Sequence, residues 1–369
     1  MKIPKKGGFS NFDVENDSQE DTTLQQKTFP VLRVKKPYTY LIIGSILVLI
    51  ISIILNIRYR QVIYANMQQQ LYDEQNEFVR NFIASQKGHS TDRPLIIFAY
   101  SESDYSRANT LFFIRHGLHA EADFIFILNG ESSIEQAIPN NMSNIRVIKR
   151  ENTCFDLGAM GIVLKSDNNA LVKKYKKFIL MNSSIRGPFV PTWGKGCWSD
   201  FFLSKVTEKV KLVGIAVNCK PAKHIQSMII ATDSIGLDIL LKGDKANQRE
   251  FVNEWGFNEY SLVGMSDCAK NYADAVSAEI SLTNLILKAN YSIEVLMTAA
   301  TRRGYYEDCE NDSVLHVDKY FGTSLHPYET VFTKVSRNEY DKILISRLTE
   351  WHDAWGYTSW EACMPIKEK

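Results

Sequence analysis

The sequence predicts an α/β domain with a mostly parallel sheet flanked by helices, preceded by a single transmembrane helix and a stalk helix. Short apolar runs alternate with helical patterns from residue 94 onward, which is typical of parallel sheets with right-handed crossovers. An uncharged aliphatic run precedes this region. We predict five segments in chain order: a disordered cytosolic tail at 1–37, a transmembrane helix at 38–57, a stalk helix at 58–90, a lumenal domain at 91–345 and a C-terminal extension at 346–369.

The transmembrane helix is predicted from a run without charges between Pro37 and Ile57. A span needs about 20 apolar residues, and this run supplies them. Tyr38 and Tyr40 lie at one end, where aromatic rings favour the membrane interface. A buried core helix is rarely so uniformly aliphatic, and a cleaved signal peptide lies nearer the start of a chain.

The stalk helix is predicted from Met67, Leu71, Phe78 and Phe82, which recur at roughly helical spacing on an otherwise polar segment. We interpret it as a solvated stalk. A self-associating coiled coil, which would give a homodimer through the stalk, is the alternative.

Strands and helices then follow one another through the domain. Runs rich in Val, Ile, Leu and Phe predict strands, and apolar residues at helical spacing predict helices. The predicted strands are residues 94–100, 122–129, 145–149, 178–181, 212–217 and 227–231, and the predicted helices are 104–118, 158–176 and 275–289.

Composition and cysteine placement restrict the function classes. The 369 residues are 45% hydrophobic and carry 43 basic and 42 acidic side chains, so the chain is neither mostly disordered nor a nucleic-acid binder by charge. All six cysteines follow the apolar run, which fits an oxidising lumen, although buried free thiols would look the same. Glycosylation sequons at Asn141, Asn290 and Asn311 also follow it. We therefore expect a single-pass type II protein of the Golgi or ER membrane.

Polar loops follow several predicted strands, at the sheet edge where open α/β folds bind ligands. Tyr100 and Glu102 follow the first strand, and Asp156 follows the third, ahead of Gly158 and Gly161. Asp156 either caps the next helix or marks an anion site at its N-terminus. The loop after the fourth strand reads Asn182-Ser183-Ser184-Ile185-Arg186.

Two of these blocks, residues 150–159 (RENTCFDLGA) and 182–189 (NSSIRGPF), resemble membrane-anchored and bacterial glycosyltransferases of the GT-A type, in particular the rhamnan-synthesis F-like group. In that group a YDFG loop and a strand-end NDS..GP element recur in this order. The similarity covers roughly residues 94–337. It implies a GT-A-like, Rossmann-like sheet and a nucleotide-sugar donor, with transfer to a glycan or glycoconjugate acceptor.

The resemblance also implies roles for the loop residues on the donor side. Tyr100 and Glu102 would contact the base and ribose, Asp156 the ribose or donor sugar, and the residues Asn182, Ser183 and Ser184 the diphosphate. The family's strand-end motif usually carries carboxylates that hold Mg²⁺ or Mn²⁺, whereas this one is neutral. Either other groups hold a metal, or Arg186 neutralises the diphosphate.

The remaining candidates lie in the second half of the chain. Glu279, near a helix start, is the candidate general base beside Asp156 as the second catalytic residue, with a solvated helix glutamate as the alternative. His224 and Gln226 would face the acceptor or form a buried polar turn. His316 and Asp318 would complete a metal or phosphate site, with His326 as a rival. Because the acidic pair is missing, a non-catalytic lumenal glycan-binding or scaffold protein derived from this fold is the alternative function.

Overall fold

The computed structural model describes residues 36–86, 92–220, 222–243, 261–301, 314–336 and 340–363. Its strands are β1 Leu95–Ser101, β2 Asp123–Asn129, β3 Ile145–Arg150, β4 Lys177–Asn182, β5 Ile185–Arg186, β6 Val210–Gly214, β7 Val217–Asn218, β8 His224–Ile225, β9 Ile229–Asp233, β10 Ser292–Val295 and β11 Thr333–Lys334. Its helices are α1 Lys36–Ser85, α2 Asp104–His116, α3 Phe155–Lys174, α4 Trp198–Leu203, α5 Ser234–Lys242, α6 Tyr272–Lys288, α7 Pro327–Thr330, α8 Lys342–Trp355 and α9 Ser359–Ala362.

A seven-stranded sheet in the order β10-β6-β9-β4-β1-β2-β3 forms the centre of the domain. The strands β1, β2, β3 and β4 run parallel, so their carboxyl ends meet at one edge. Every residue of β2 is buried, as is expected for a strand covered on both faces. The predicted α/β class with a mostly parallel sheet is therefore confirmed.

The structure differs from the predicted elements around β9. This strand pairs antiparallel with both β4 and β6. The predicted strand at 212–217 is divided between β6 and β7, and β7 pairs with β8 in a separate antiparallel ribbon. The ribbon reverses the chain between β6 and β9, which is why the following strand enters the sheet in the opposite direction.

Helix α3 begins at Phe155, before the predicted start at residue 158, and is interrupted near its middle. Asp167, Asn168 and Asn169 all have positive φ angles, of 50°, 56° and 59°. Asp and Asn tolerate this left-handed conformation better than most residues, because their short side chains can hydrogen-bond locally. The first part of α3 thus ends near Ser166.

Helix α1 is the described helix long and apolar enough to cross a membrane. The chain divides into two compact units, 1–66 and 67–369, and α1 contributes residues to both. In the second unit Val79 and Phe82 are buried in the main core, and Asn76 Oδ1 accepts a 2.7 Å hydrogen bond from Asp167 N. Over 58–86, the described part of the predicted stalk, the structure thus differs from a fully solvated helix, because its last turns supply core residues. Residues 87–90 lie outside the described residues.

The C-terminal helices also contribute to the domain. Leu348 and His352 of α8 are buried, and a disulfide joins Cys363 to Cys197 at the start of α4. The predicted boundary at 345/346 lies within α8. Residues 346–363 are therefore part of the folded domain, because the buried side chains of α8 pack in its core.

Two buried histidines make the stability of the domain sensitive to acid. Burial lowers the pKa of His119 to about 3, and burial with the nearby charge of His116 lowers that of His352 to about 4. The unfolded chain, with an ordinary pKa near 6.5, therefore binds more protons between pH 6.5 and 4. The stabilisation is complete above this window and is lost as the pH falls through it.

We expect the free energy of unfolding to fall by about 2 kcal/mol per histidine between pH 7.5 and 5. Urea denaturation at several pH values measures this slope. His119→Gln and His352→Gln should each flatten it, whereas His316→Gln, at a half-exposed position, serves as the control. A slope that is equal in all four proteins would contradict the assignment.

Candidate functional site

A cavity of about 480 Å³ opens at the carboxyl ends of β1, β2 and β4, beside the first turns of α2 and α3. The three polar loops predicted from the sequence, after the first, third and fourth strands, all contribute to its wall. The lining residues are Ala99, Tyr100, Ser101, Tyr105, Ser106, Asn129, Asn152, Thr153, Phe155, Asp156, Asn182, Ser183, Ser184 and Lys270. Tyr100, Asp156 and the residues 182–184 are thus brought together, although they are up to 84 positions apart in the chain.

Asp156 and Asn182 form a hydrogen-bonded pair in this wall. Asn182 Nδ2 donates to Asp156 Oδ2, and Asn182 Oδ1 accepts from Ser184 N at 3.0 Å and from Ser184 Oγ at 2.6 Å. Asp156 Oδ1 accepts from Leu157 N at 2.9 Å. Cys154 is the N-cap of α3, so Asp156 lies in the first turn and does not cap the helix.

The surroundings of Asp156 raise the pKa of its carboxyl group above its ordinary value. Burial raises the pKa of this carboxyl, the hydrogen bond from Asn182 acts in the opposite direction, and the negative charge of Glu279 raises it again. A cavity that holds a carboxyl under these conditions is suited to exchanging hydrogen bonds with the hydroxyl groups of a ligand.

Glu279, on α6, is held in place near this pair. Its Oε1 accepts hydrogen bonds from Ser227 N at 2.7 Å and from Ser227 Oγ at 2.9 Å. Asn182 N donates to Met228 O at 3.0 Å, so Glu279 and Asn182 are anchored to adjacent residues. The alternative of a solvated helix glutamate is not what the structure shows, since Glu279 is half-buried and bonded twice.

Arg186 does not line the cavity, contrary to the expectation that it neutralises the diphosphate. Its Nε donates to Asn109 Oδ1 at 2.9 Å and its Nη1 to Thr349 Oγ1 at 3.3 Å. Strand β5 pairs with β11 and directs the side chain toward α2 and α8. Among the described residues that line the cavity, Lys270 is the basic one, and no local pattern in the sequence points to it.

The proposed acceptor-side residues His224 and Gln226 are also outside the cavity wall. They are 3% and 5% exposed. His224 Nδ1 lies 2.7 Å from Ala222 O, and Gln226 N donates to Ala216 O at 3.3 Å. This arrangement fits the buried polar turn that the sequence left open.

Four further candidates, Glu102, His316, Asp318 and His326, are not among the residues that line the cavity. Glu102 Oε2 accepts from Ser133 N at 3.3 Å and is not part of the cavity wall. Asp318 N donates to Ser324 Oγ at 3.1 Å in a turn that also contains His316. His326 Nδ1 accepts from Tyr328 N at 3.1 Å at the start of α7.

The donor set at the cavity does not fit a protein-built site for Mn²⁺ or Mg²⁺. Asp156 is the one carboxylate among the described lining residues, and both of its oxygens already accept hydrogen bonds. Elsewhere in the described chain, the three groups close enough to share a metal are His119, Cys197 and Cys363, and the two cysteines are joined as a disulfide.

Fold and site together define an α/β protein with a polar, ligand-sized cavity at the carboxyl edge of its parallel strands. No protein-family model and no curated protein matches the chain. Among solved structures, it is similar to the glycosyltransferase GlyE of Streptococcus pneumoniae TIGR4, with 11% identity and a TM-score of 0.38 over 76% of this chain and 66% of that one. The apo form of GlyE gives 10% identity and a TM-score of 0.32 over 55% of this chain and 44% of that one, so this match spans less than half of the solved chain.

Proposed function

We propose that this protein is a glycosyltransferase that uses a nucleotide sugar and acts on a glycan or glycoconjugate acceptor. The observation that carries the proposal is the cavity in which Asp156 and Asn182 meet, at the sheet edge where open α/β folds bind ligands. Its volume is in the range of small-molecule sites. The two sequence blocks that resemble GT-A enzymes supply these two residues, although the blocks are separate in the chain.

We assign the parts of the donor by the chemistry of the wall. We propose that Tyr100, Ser101 and Asn129, which all line the cavity, receive the nucleoside. In this proposal Ser183 and Ser184 bind the diphosphate, and Asp156 accepts hydrogen bonds from hydroxyl groups of the donor.

In the proposed reaction, an acceptor oxygen attacks the anomeric carbon of the donor sugar. The bond between that carbon and the diphosphate oxygen breaks, and the nucleoside diphosphate leaves with the electron pair. Glu279 is the proposed general base for the acceptor proton. It is not among the residues that line the cavity, but Ser227 holds its carboxylate in place and its negative charge acts on Asp156. No step is assigned to a divalent metal.

The proposed setting is a single-pass type II protein of the Golgi or ER membrane with its domain in the lumen. Support comes from the apolar helix α1 and from the disulfides Cys154–Cys268 and Cys197–Cys363, since disulfides persist in oxidising compartments. The described residues contain no free cysteine, while Cys309 and Asn311 lie outside them.

N-linked glycosylation tests this orientation. Asn141 and Asn290 are exposed, so a lumenal domain should carry glycans at both sites. We expect Asn141→Gln and Asn290→Gln each to lose one glycan, seen on a gel as one smaller shift on endoglycosidase treatment. The double variant should lose both of these glycans. A chain from secretory cells whose mobility is the same with and without endoglycosidase would contradict the lumenal placement.

The function itself is tested by a donor screen with the full chain in detergent. Calorimetry measures the binding of nucleotide sugars, and product assays measure the release of nucleoside diphosphate, each with and without Mn²⁺. We expect binding and turnover for at least one donor. Glycan binding without turnover of any donor would instead support a non-catalytic scaffold protein. That alternative is suggested by the missing carboxylate pair at residues 182–184.

A further inference from the structure

We propose that Lys270 binds the diphosphate of the donor and that the Cys154–Cys268 disulfide holds this lysine at the cavity. This role of Lys270 rests on the proposed function, and it names the side chain whose positive charge binds the diphosphate. It replaces Arg186, which the structure ties to Asn109 and Thr349.

A positively charged side chain in the cavity wall would offset the negative charge of the donor. A nucleoside diphosphate brings several negative charges next to Asp156, and the other lining side chains are neutral apart from Lys270. Lys270 is exposed and forms no ion pair within the described part of the chain. Its ammonium group can therefore contact a phosphate without first leaving a carboxylate.

The disulfide joins the two sides of the cavity wall on which this contact depends. Cys154 directly precedes Phe155 and Asp156, and Cys268 lies two residues before Lys270. The bond closes a separation of 114 positions in the sequence, so the segment before α6 is fixed beside the first turn of α3.

Close backbone packing reinforces this attachment. A Cβ atom on Gly158 would lie 3.2 Å from Ala269 N, and one on Gly161 would lie 2.8 Å from Met265 O. The two glycines therefore allow residues 265–269 to lie directly against α3, rather than allowing a ligand to approach its backbone.

The main chain of Lys270 is held by the next helix. Lys270 N donates to Asp274 Oδ2 at 3.2 Å, and Asn271 caps α6 by accepting from Asp274 N at 2.9 Å. The backbone of Lys270 is thus attached to α6 on one side and, through Cys268, to the disulfide on the other, and its exposed side chain lines the cavity.

The test compares the binding of nucleoside diphosphates with that of their uncharged nucleosides. Calorimetry on the full chain uses UDP and GDP as probes, with uridine and guanosine as references. We expect Lys270→Met to weaken binding of the diphosphate that the wild type prefers by roughly 10- to 100-fold and to leave nucleoside binding unchanged. Lys270→Arg should restore most of the affinity, and Lys173→Met, an exposed lysine in the last turn of α3, is the matched control.

The disulfide is tested by Cys154→Ser combined with Cys268→Ser. This pair should weaken diphosphate binding in the same direction, and adding Lys270→Met should then cost less than it does in the wild type. If the serine pair fails to fold, the comparison of Met, Arg and wild type at position 270 still decides the role of Lys270.

The outcomes separate this inference from the proposed function. Equal diphosphate affinity in wild type and Lys270→Met would overturn the role of Lys270 while leaving the glycosyltransferase proposal in place. A wild type that binds neither diphosphate nor any nucleotide sugar would overturn both.

Discussion

Replacing Asp156 with alanine is expected to lower the rate of the proposed sugar transfer by roughly 100- to 10,000-fold. The substitution removes the carboxylate of the cavity wall and leaves Asn182 Nδ2 without its acceptor. Steady-state kinetics with the donor identified by the screen would measure kcat and KM separately. Because we propose that the donor sugar binds beside Asp156 and Asn182, we expect the substitution to lower kcat more than it changes KM.

Matched variants separate a role in chemistry from a role in folding. Asp156→Asn keeps the shape of the side chain and removes its charge, and we expect it to be nearly as inactive as the alanine variant. Since burial raises the pKa of Asp156, the ionised form is disfavoured in the folded state, so Asp156→Asn should not lower the melting temperature. Asp238→Ala, at a half-exposed position on α5 that pairs with Lys242, is the control. Transfer by Asp156→Ala within twofold of the wild type would refute the assignment.

Removing the Cys197–Cys363 disulfide is expected to lower the free energy of unfolding by about 3–5 kcal/mol. The bond closes a sequence separation of 166 residues, which restricts the unfolded chain strongly. It also joins the end of α9 to the start of α4, close to the buried ring of Trp198. Urea denaturation of the Cys197→Ser, Cys363→Ser double variant gives the loss directly.

The single variants Cys197→Ser and Cys363→Ser provide the comparison for this measurement. Each breaks the same bond but leaves one thiol, so a loss shared by all three variants belongs to the disulfide. Peptide mapping under non-reducing conditions identifies the bond in the wild type. An unfolding midpoint in the double variant equal to that of the wild type would show that the bond contributes no stability.

The sequence predicts most of the fold because buried parallel strands leave a strong local signal. The runs at β1, β2 and β4 are almost uninterrupted apolar segments, and each was expected within two residues of its observed bounds. The direction of β9 could not be predicted in the same way. Strand direction depends on the ribbon of β7 and β8, whose two-residue strands carry too little pattern to be recognised.

At the cavity, too, the residues that directly follow parallel strands could be predicted from the sequence, whereas those placed by long-range contacts could not. Asp156 and Asn182 were predicted as site candidates because both follow parallel strands, whose carboxyl ends must meet. Arg186 was assigned by its closeness in sequence to Asn182, but the pairing of β5 with β11 directs it away. Lys270 reaches the cavity through a disulfide whose pairing the sequence leaves undetermined.

The last turns of α1 determine where a soluble fragment of this protein can begin. Val79 and Phe82 are part of the main core, and Gln75 and Asn76 bond to the interruption of α3 at Ser166 and Asp167. A fragment that starts after residue 86 would remove Val79 and Phe82 from the core. It would also remove the hydrogen bonds that Gln75 and Asn76 make to α3, the helix whose first turn carries Asp156. A start at Met67 keeps the whole second unit, so the design of an expression fragment should follow the packing of the helix rather than the end of its apolar run.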